Sequence, residues 1–180
     1  MILTAVNGKL TWKNFSDVSL STLTVTSMVF FIIIFAGLFN SIFLFLGGGA
    51  LVQSFLLSLP FGKWVVLFFM MFILFLGGFF ISWQGLLFVA VPILLPVSNS
   101  LGFDPLWFAL LVCLNLQMSL LTPPFAYSIF FVKGVAPPEV RTVDIYRGVI
   151  PFVGMQVIAI ILCILFPEIV LWLPAVTLGG

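Results

Sequence analysis

Charged residues are absent between Asp17 and Lys63, between Lys63 and Asp104, between Asp104 and Lys133, and between Arg147 and Glu168. Each gap can hold a membrane-spanning helix, which needs roughly 20 consecutive apolar residues. Thr22 to Leu46 is 25 residues without a charge, about 37 Å as a helix, and is the first predicted span. Gly47-Gly48-Gly49 ends it, and Ala50 to Pro60, too short and mixed to cross, is expected to lie along the membrane surface. A second apolar helix is predicted from Gly62 to Leu76, and a third stretch from Gln84 to Leu101 with Pro92 and Pro96 inside it. The join from Gly77 to Trp83 has no polar loop, which points to a hairpin tip inside the membrane. Asp104-Pro105 starts the next span, Leu106 to Leu116, which runs into Pro123-Pro124 and resumes from Ala126 to Val132. Lys133 to Arg147 reads as the one sustained polar loop. Gly148 to Trp172 is the last span, with Pro151 near its start, where proline is tolerated. Trp64, Trp107 and Trp172 fall near span ends, as expected of interfacial aromatics.

This pattern divides the chain into five segments: an interfacial N-terminal segment (1–21), a first transmembrane helix with a surface helix (22–61), a hairpin and broken helix (62–133), a loop (134–147), and a last transmembrane helix with its tail (148–180). Residues 1–21 are mixed and polar and do not read as a signal peptide. Only 6% of the 180 residues are charged and 63% are hydrophobic, against about 25% charged in soluble domains, so the fold class is all-α integral membrane. Crossing the predicted spans puts Lys9, Lys13, Lys133, Arg141 and Arg147 on one side and leaves Lys63 alone on the other. By the positive-inside rule the first side is cytoplasmic and the C-terminus periplasmic.

Composition also excludes chemistry. The net charge of +1 and the lack of a basic run argue against nucleic-acid binding. There is no histidine, and the apolar stretches hold no titratable pair, so neither acid-base catalysis nor a transition-metal site is expected. Cys113 and Cys163 read as small buried hydrophobes. Backbone carbonyls and Ser, Thr, Asn and Gln oxygens remain, and these suit a hard monovalent cation or a polar solute. They concentrate at two places: the break with Asn115, Gln117, Ser119 and Thr122 before Pro123-Pro124, and the turn from Gly77-Gly78 to Ser82. Two prolines remove backbone donors and push Thr122 out of the helical region. Groups orphaned in hydrocarbon persist only where they are packed in protein or line a polar site. A simple kink at Pro-Pro and close helix packing at Gly-Gly are the structural alternatives.

Five stretches in order carry a resemblance: Gly78-Phe79-Phe80-Ile81-Ser82-Trp83, Pro92-Ile93-Leu94-Leu95-Pro96, Leu101-Gly102-Phe103-Asp104-Pro105, Asn115 to Pro124, and Gly134 to Pro138 followed by Asp144 to Phe152. Together they resemble the large membrane subunit of tripartite ATP-independent periplasmic (TRAP) transporters, the DctM-like permeases. The resemblance covers the chain from the first span to Pro174. It implies half of an inverted-repeat, elevator-type transporter, with a re-entrant helical hairpin and a Pro-Pro broken helix. Sodium would sit between hairpin tip and break, held by Gly78, Ile81, Ser119, Thr122 and Phe125, largely through backbone oxygens, with Thr122 using its side chain. Ser82, Asn115 and Thr122 would contact substrate. The family usually has an acidic residue where Ser82 stands and often Thr where Met118 stands, and glycine is frequent near Ser119 and Ala126.

The expected function is therefore part of a sodium-coupled secondary transporter in the bacterial inner membrane. It would take up organic acids (carboxylates, C4-dicarboxylates among them) delivered by a periplasmic solute-binding protein. Further expected partners are a small membrane subunit and an N-terminal half of the large subunit that supplies the other repeat, with sodium as the coupling ion. A membrane scaffold without an ion site, and a carboxylate symporter outside the tripartite family, are the alternatives.

Overall fold

The computed structural model describes residues 11–60, 62–122, 127–137 and 139–178, and every regular element among them is a helix. In chain order these are α1 (Trp12–Phe45), α2 (Gly48–Ser58), α3 (Lys63–Gly77), α4 (Trp83–Ser100), α5 (Pro105–Leu121), α6 (Tyr127–Val135), α7 (Thr142–Leu165) and α8 (Glu168–Leu178). Three of them, α1, α4 and α7, are long and apolar enough to cross a membrane. The chain is an all-α, multi-span membrane protein, as the charge-free gaps predict.

The first helix starts at Trp12, well before the predicted span at Thr22, because nothing in residues 12–21 breaks it and Thr11 Oγ1 caps it by accepting from Asn14 N at 3.2 Å. Its outward side chains, Phe30, Phe31, Phe35 and Ile42 among them, are exposed, as they must be on a lipid-facing surface. Thr22 and Thr24 satisfy their hydroxyls by donating to Val18 O and Leu20 O, both at 2.8 Å. The chain then turns at Gly47, whose φ of 82° lies in the left-handed region that favours glycine. The stretch expected on the membrane surface forms α2, which docks on α4: Gln53 Nε2 donates to Ser100 Oγ at 2.7 Å, and Leu56 is buried.

The core is built around α5. Asp104 caps it, its Oδ1 accepting from Leu106 N at 2.8 Å and Trp107 N at 3.0 Å, with Pro105 in the first turn. Trp107, Phe108, Leu111, Val112 and Leu116 are buried between α3, α4 and α7. Two sequence expectations are corrected here. Trp107 is no interfacial aromatic: it is 2% exposed, and its indole Nε1 donates to Cys163 O at 2.7 Å. Cys163 is buried as expected, but Cys113 faces outward from α5.

Proline explains why Trp107 is needed there. In a helix the Cys163 carbonyl would accept from the amide of residue 167, which is Pro167 and has none. The indole supplies the missing donor. Replacing Trp107 by Phe is expected to destabilise the protein by about 1–2 kcal/mol, since it leaves a buried carbonyl unpaired. Thermal unfolding in detergent checks this, and an unchanged midpoint would show that the tie adds no stability.

The end of the chain also differs from the pattern. The Asp144 carboxylate accepts from Arg141 N at 3.2 Å and pairs with the Arg141 guanidinium at 3.1 Å, so α7 begins at Thr142 and absorbs residues 142–147 of the predicted polar loop. Pro151 consequently lies inside α7 rather than near its start. The predicted last span ends at Leu165, because Pro167 keeps Phe166 out of the helical region (φ −128°, ψ 76°), and α8 takes the remainder.

Candidate functional site

The candidate site lies where the turn between α3 and α4 meets the C-terminal end of α5. The turn is short: Ile81 N and Phe80 N both donate to Gly77 O, at 2.9 and 3.0 Å, and Ser82 opens α4 by accepting from Gly85 N at 3.4 Å. Gly78 has φ −65° and ψ −12°, a conformation open to any residue. What requires glycine is space. A methyl group placed on Gly78 would stand 2.7 Å from Ser119 Cβ and closer still to its Oγ, well inside van der Waals contact. The turn is seated on Ser119 with no room for a side chain between them.

At the end of α5 the predicted break begins where the prolines require it. Leu121 is the last helical residue, and Thr122 is extended at φ −99° and ψ 135°. Asn115, Ser119 and Thr122 lie four and three residues apart and so share one face of the helix. Ser119 is fully buried and its Oγ donates to Leu116 O at 2.7 Å; Thr122 Oγ1 donates to Met118 O at 2.9 Å, and Thr122 N to Ser119 O at 3.2 Å. Carbonyls expected to be orphaned by the break thus take local donors. Each hydroxyl commits its only proton to its own helix, which leaves oxygen lone pairs for an electropositive partner.

Of the sequence-predicted residues, Gly78 and Ser119 are in contact, and Thr122 follows one turn further along the same face. Ile81 is half exposed at the tip and Ser82 partly buried beneath it. Asn115 is turned to α3: its Nδ2 donates to Met71 O at 2.8 Å, and its side chain borders an open groove of about 590 Å³ lined by Met71, Phe75, Met118 and Ile161. Phe125, with Pro123, Pro124 and Ala126, lies outside the described residues. A second groove of about 410 Å³ separates Thr122 from α7 and is lined by Tyr146, Val149, Val153 and Gly154. Tyr146 escaped the sequence reading because its loop assignment hid it; only the helical start at Thr142 brings it to Thr122. Among the described residues no group of three or more Cys, Asp or Glu side chains could hold a metal ion.

The family described as "Tripartite ATP-independent periplasmic transporter, DctM component" matches residues 1–169. The chain belongs to that family. Its members are transport proteins and not enzymes. Among the relatives, a sialic acid TRAP transporter large permease protein of Vibrio cholerae is 29% identical over 98% of this chain and 41% of its own length. A C4-dicarboxylate TRAP transporter large permease protein of the same organism is 29% identical over 59% of this chain and 23% of its own. An isethionate TRAP transporter permease protein of Oleidesulfovibrio alaskensis is 23% identical over 91% of this chain and 26% of its own. The chain therefore spans less than half the length of these TRAP permeases. Its place in this family removes the reading as a symporter outside the tripartite systems.

Proposed function

We propose that this chain is one half of a sodium-coupled TRAP permease for organic anions, and that its ion site lies between the 78–82 turn and the end of α5. One observation carries the reading: Gly78 is packed directly on Ser119, beside a helix end whose hydroxyls retain only acceptor capacity. The last carbonyls of α5 form the negative end of a helix dipole and favour a cation, while the first amides of α4, capped by Ser82, form a positive end and favour a carboxylate. Two opposed helix ends at one place can hold a sodium ion and an organic anion side by side, as interrupted helices do in secondary transporters. Gly78, Ile81, Ser119, Thr122 and Phe125 would supply the sodium ligands, and Ser82 and Thr122 the substrate contacts, with Asn115 acting from the groove it borders. Of the two helices around the tip, α3 has 15 residues, about 22 Å, short of the roughly 30 Å hydrocarbon core, which suits a hairpin that enters and leaves on one side.

The relatives' named solutes are dicarboxylate, sialic acid and a sulfonate, all anions, which supports an organic anion as cargo. In this reading the chain sits in the bacterial inner membrane with its C-terminus periplasmic. It works with a second half that supplies the opposing repeat, a small membrane subunit and a periplasmic solute-binding protein. Reconstituted together in liposomes, these components are expected to take up one of these anions only when a sodium gradient is imposed and the binding protein is present, and the chain alone to give no uptake. Uptake unchanged when potassium replaces sodium would refute the coupling, and sodium-driven uptake by the chain alone would refute its being a half.

A further inference from the structure

Among the described residues the most extensive helix pair is α1 with α4, and the two buried residues of α1 are Ala36 and Asn40. Asn40 stands in a charge-free apolar helix, is 7% exposed, and donates through Nδ2 to Phe88 O at 2.6 Å. Phe88 is four residues before Pro92, so its carbonyl is the one that Pro92 deprives of a helical donor. The Asn40 amide therefore stands in for the missing backbone N–H. The same device recurs independently at Trp107, which serves the carbonyl freed by Pro167.

A bland packing role does not account for Asn40. Its Oδ1 is buried and has no partner among the described residues, a cost an apolar side chain of similar size would avoid. The donor must offset that cost. The consequence runs along α4, whose first turn is capped by Ser82 and carries the 78–82 turn that sits on Ser119.

We propose that Asn40 is a positioning residue for the ion site: by replacing the donor that Pro92 deletes, it locks α1 to α4 and so fixes the 78–82 turn against Ser119. The effect on the site rests on the function proposed above; the lock between α1 and α4 does not.

A double-mutant cycle tests it. Asn40→Leu, Pro92→Ala and the double variant are made in the chain with both native cysteines replaced by alanine and Ile81→Cys at the tip. Each is assembled with its companion subunits in membranes. Alanine at 92 restores a backbone donor to Phe88 O, so it makes the asparagine redundant. Asn40→Leu is expected to lower thermal stability and to speed thiol labelling of the tip about five-fold, the factor lost with one hydrogen bond, and both effects are expected to vanish when Pro92→Ala is added. Equal effects of Asn40→Leu with and without Pro92→Ala would overturn the lock, as would no effect at all. If Asn40→Leu fails to accumulate, recovery of the double variant supports the lock and continued failure overturns it. If Pro92→Ala itself fails, Asn40→Gln decides: it keeps an amide, and a loss as large as that of Asn40→Leu overturns the proposal. Labelling in sodium against potassium separates the two readings. A tip insensitive to sodium in the parent refutes the ion site and leaves stability to judge the lock. A sodium-protected tip whose labelling Asn40→Leu does not change refutes the positioning role.

Discussion

Replacing Gly78 by alanine is expected to abolish sodium-coupled uptake while leaving the protein in the membrane. The added methyl would overlap Ser119, a buried residue whose Cβ is fixed by the α5 backbone and cannot be moved by a change of rotamer. Overpacking of this kind costs about 1–3 kcal/mol in a well-packed interior. Here the strain falls on a short turn rather than on a helix, so the turn lifts away from α5 before the bundle unfolds. The backbone of Gly78 is ordinary, which makes the prediction specific: the loss is steric, and opening space opposite should repair it. Adding Ser119→Gly to Gly78→Ala is expected to restore the thermal midpoint and the slow labelling of a cysteine at position 81. Because that double variant lacks the Ser119 hydroxyl, uptake should recover only in part. Full uptake by Gly78→Ala alone would show that the turn does not need to touch α5.

Thr122→Val is expected to weaken sodium dependence by about 10- to 100-fold, the range for a hydrogen-bond-like contact to a charged group. Valine keeps the branched shape and loses only the oxygen. Serine at the same position keeps the oxygen and should stay near the parent. The hydroxyl also donates to Met118 O, so a general loosening of the helix end is the competing explanation. The two separate on the sodium concentration needed for half-maximal uptake: a ligand role raises it and leaves the saturated rate close to normal, whereas loosening lowers the rate at every sodium concentration. An unchanged sodium requirement in Thr122→Val would remove Thr122 from the site.

The features that could be read from the sequence are those governed by local chemistry. Charge-free gaps give the spans, Asp104-Pro105 gives the start of α5, Gly77-Gly78 gives the turn, and Pro123 gives an extended Thr122, because caps, glycines and prolines act within a few residues. The features that could not be read depend on partners far along the chain. Trp107 looked interfacial until Cys163 O, 56 residues away, claimed its indole. Asn40 was one polar residue in an apolar run until Phe88 O, 48 residues away, explained it. A usable signal did exist: a proline inside a membrane helix frees the carbonyl four residues earlier, and a lone Asn or Trp elsewhere is a candidate donor. Where helix starts were misplaced, at Trp12 and Thr142, a cap outweighed the hydropathy pattern.

The length of α1 has a consequence for the membrane around it. Residues 22–45 alone would stand about 36 Å tall, some 6 Å more than a typical hydrocarbon core, an excess that tilting from the bilayer normal accommodates. Because α1 is tied to α4, its inclination is passed to the turn at the site. A thinner bilayer would lay the helix flatter and a thicker one would raise it, so lipid chain length becomes a way to tune the placement of Gly78 on Ser119 without changing a residue.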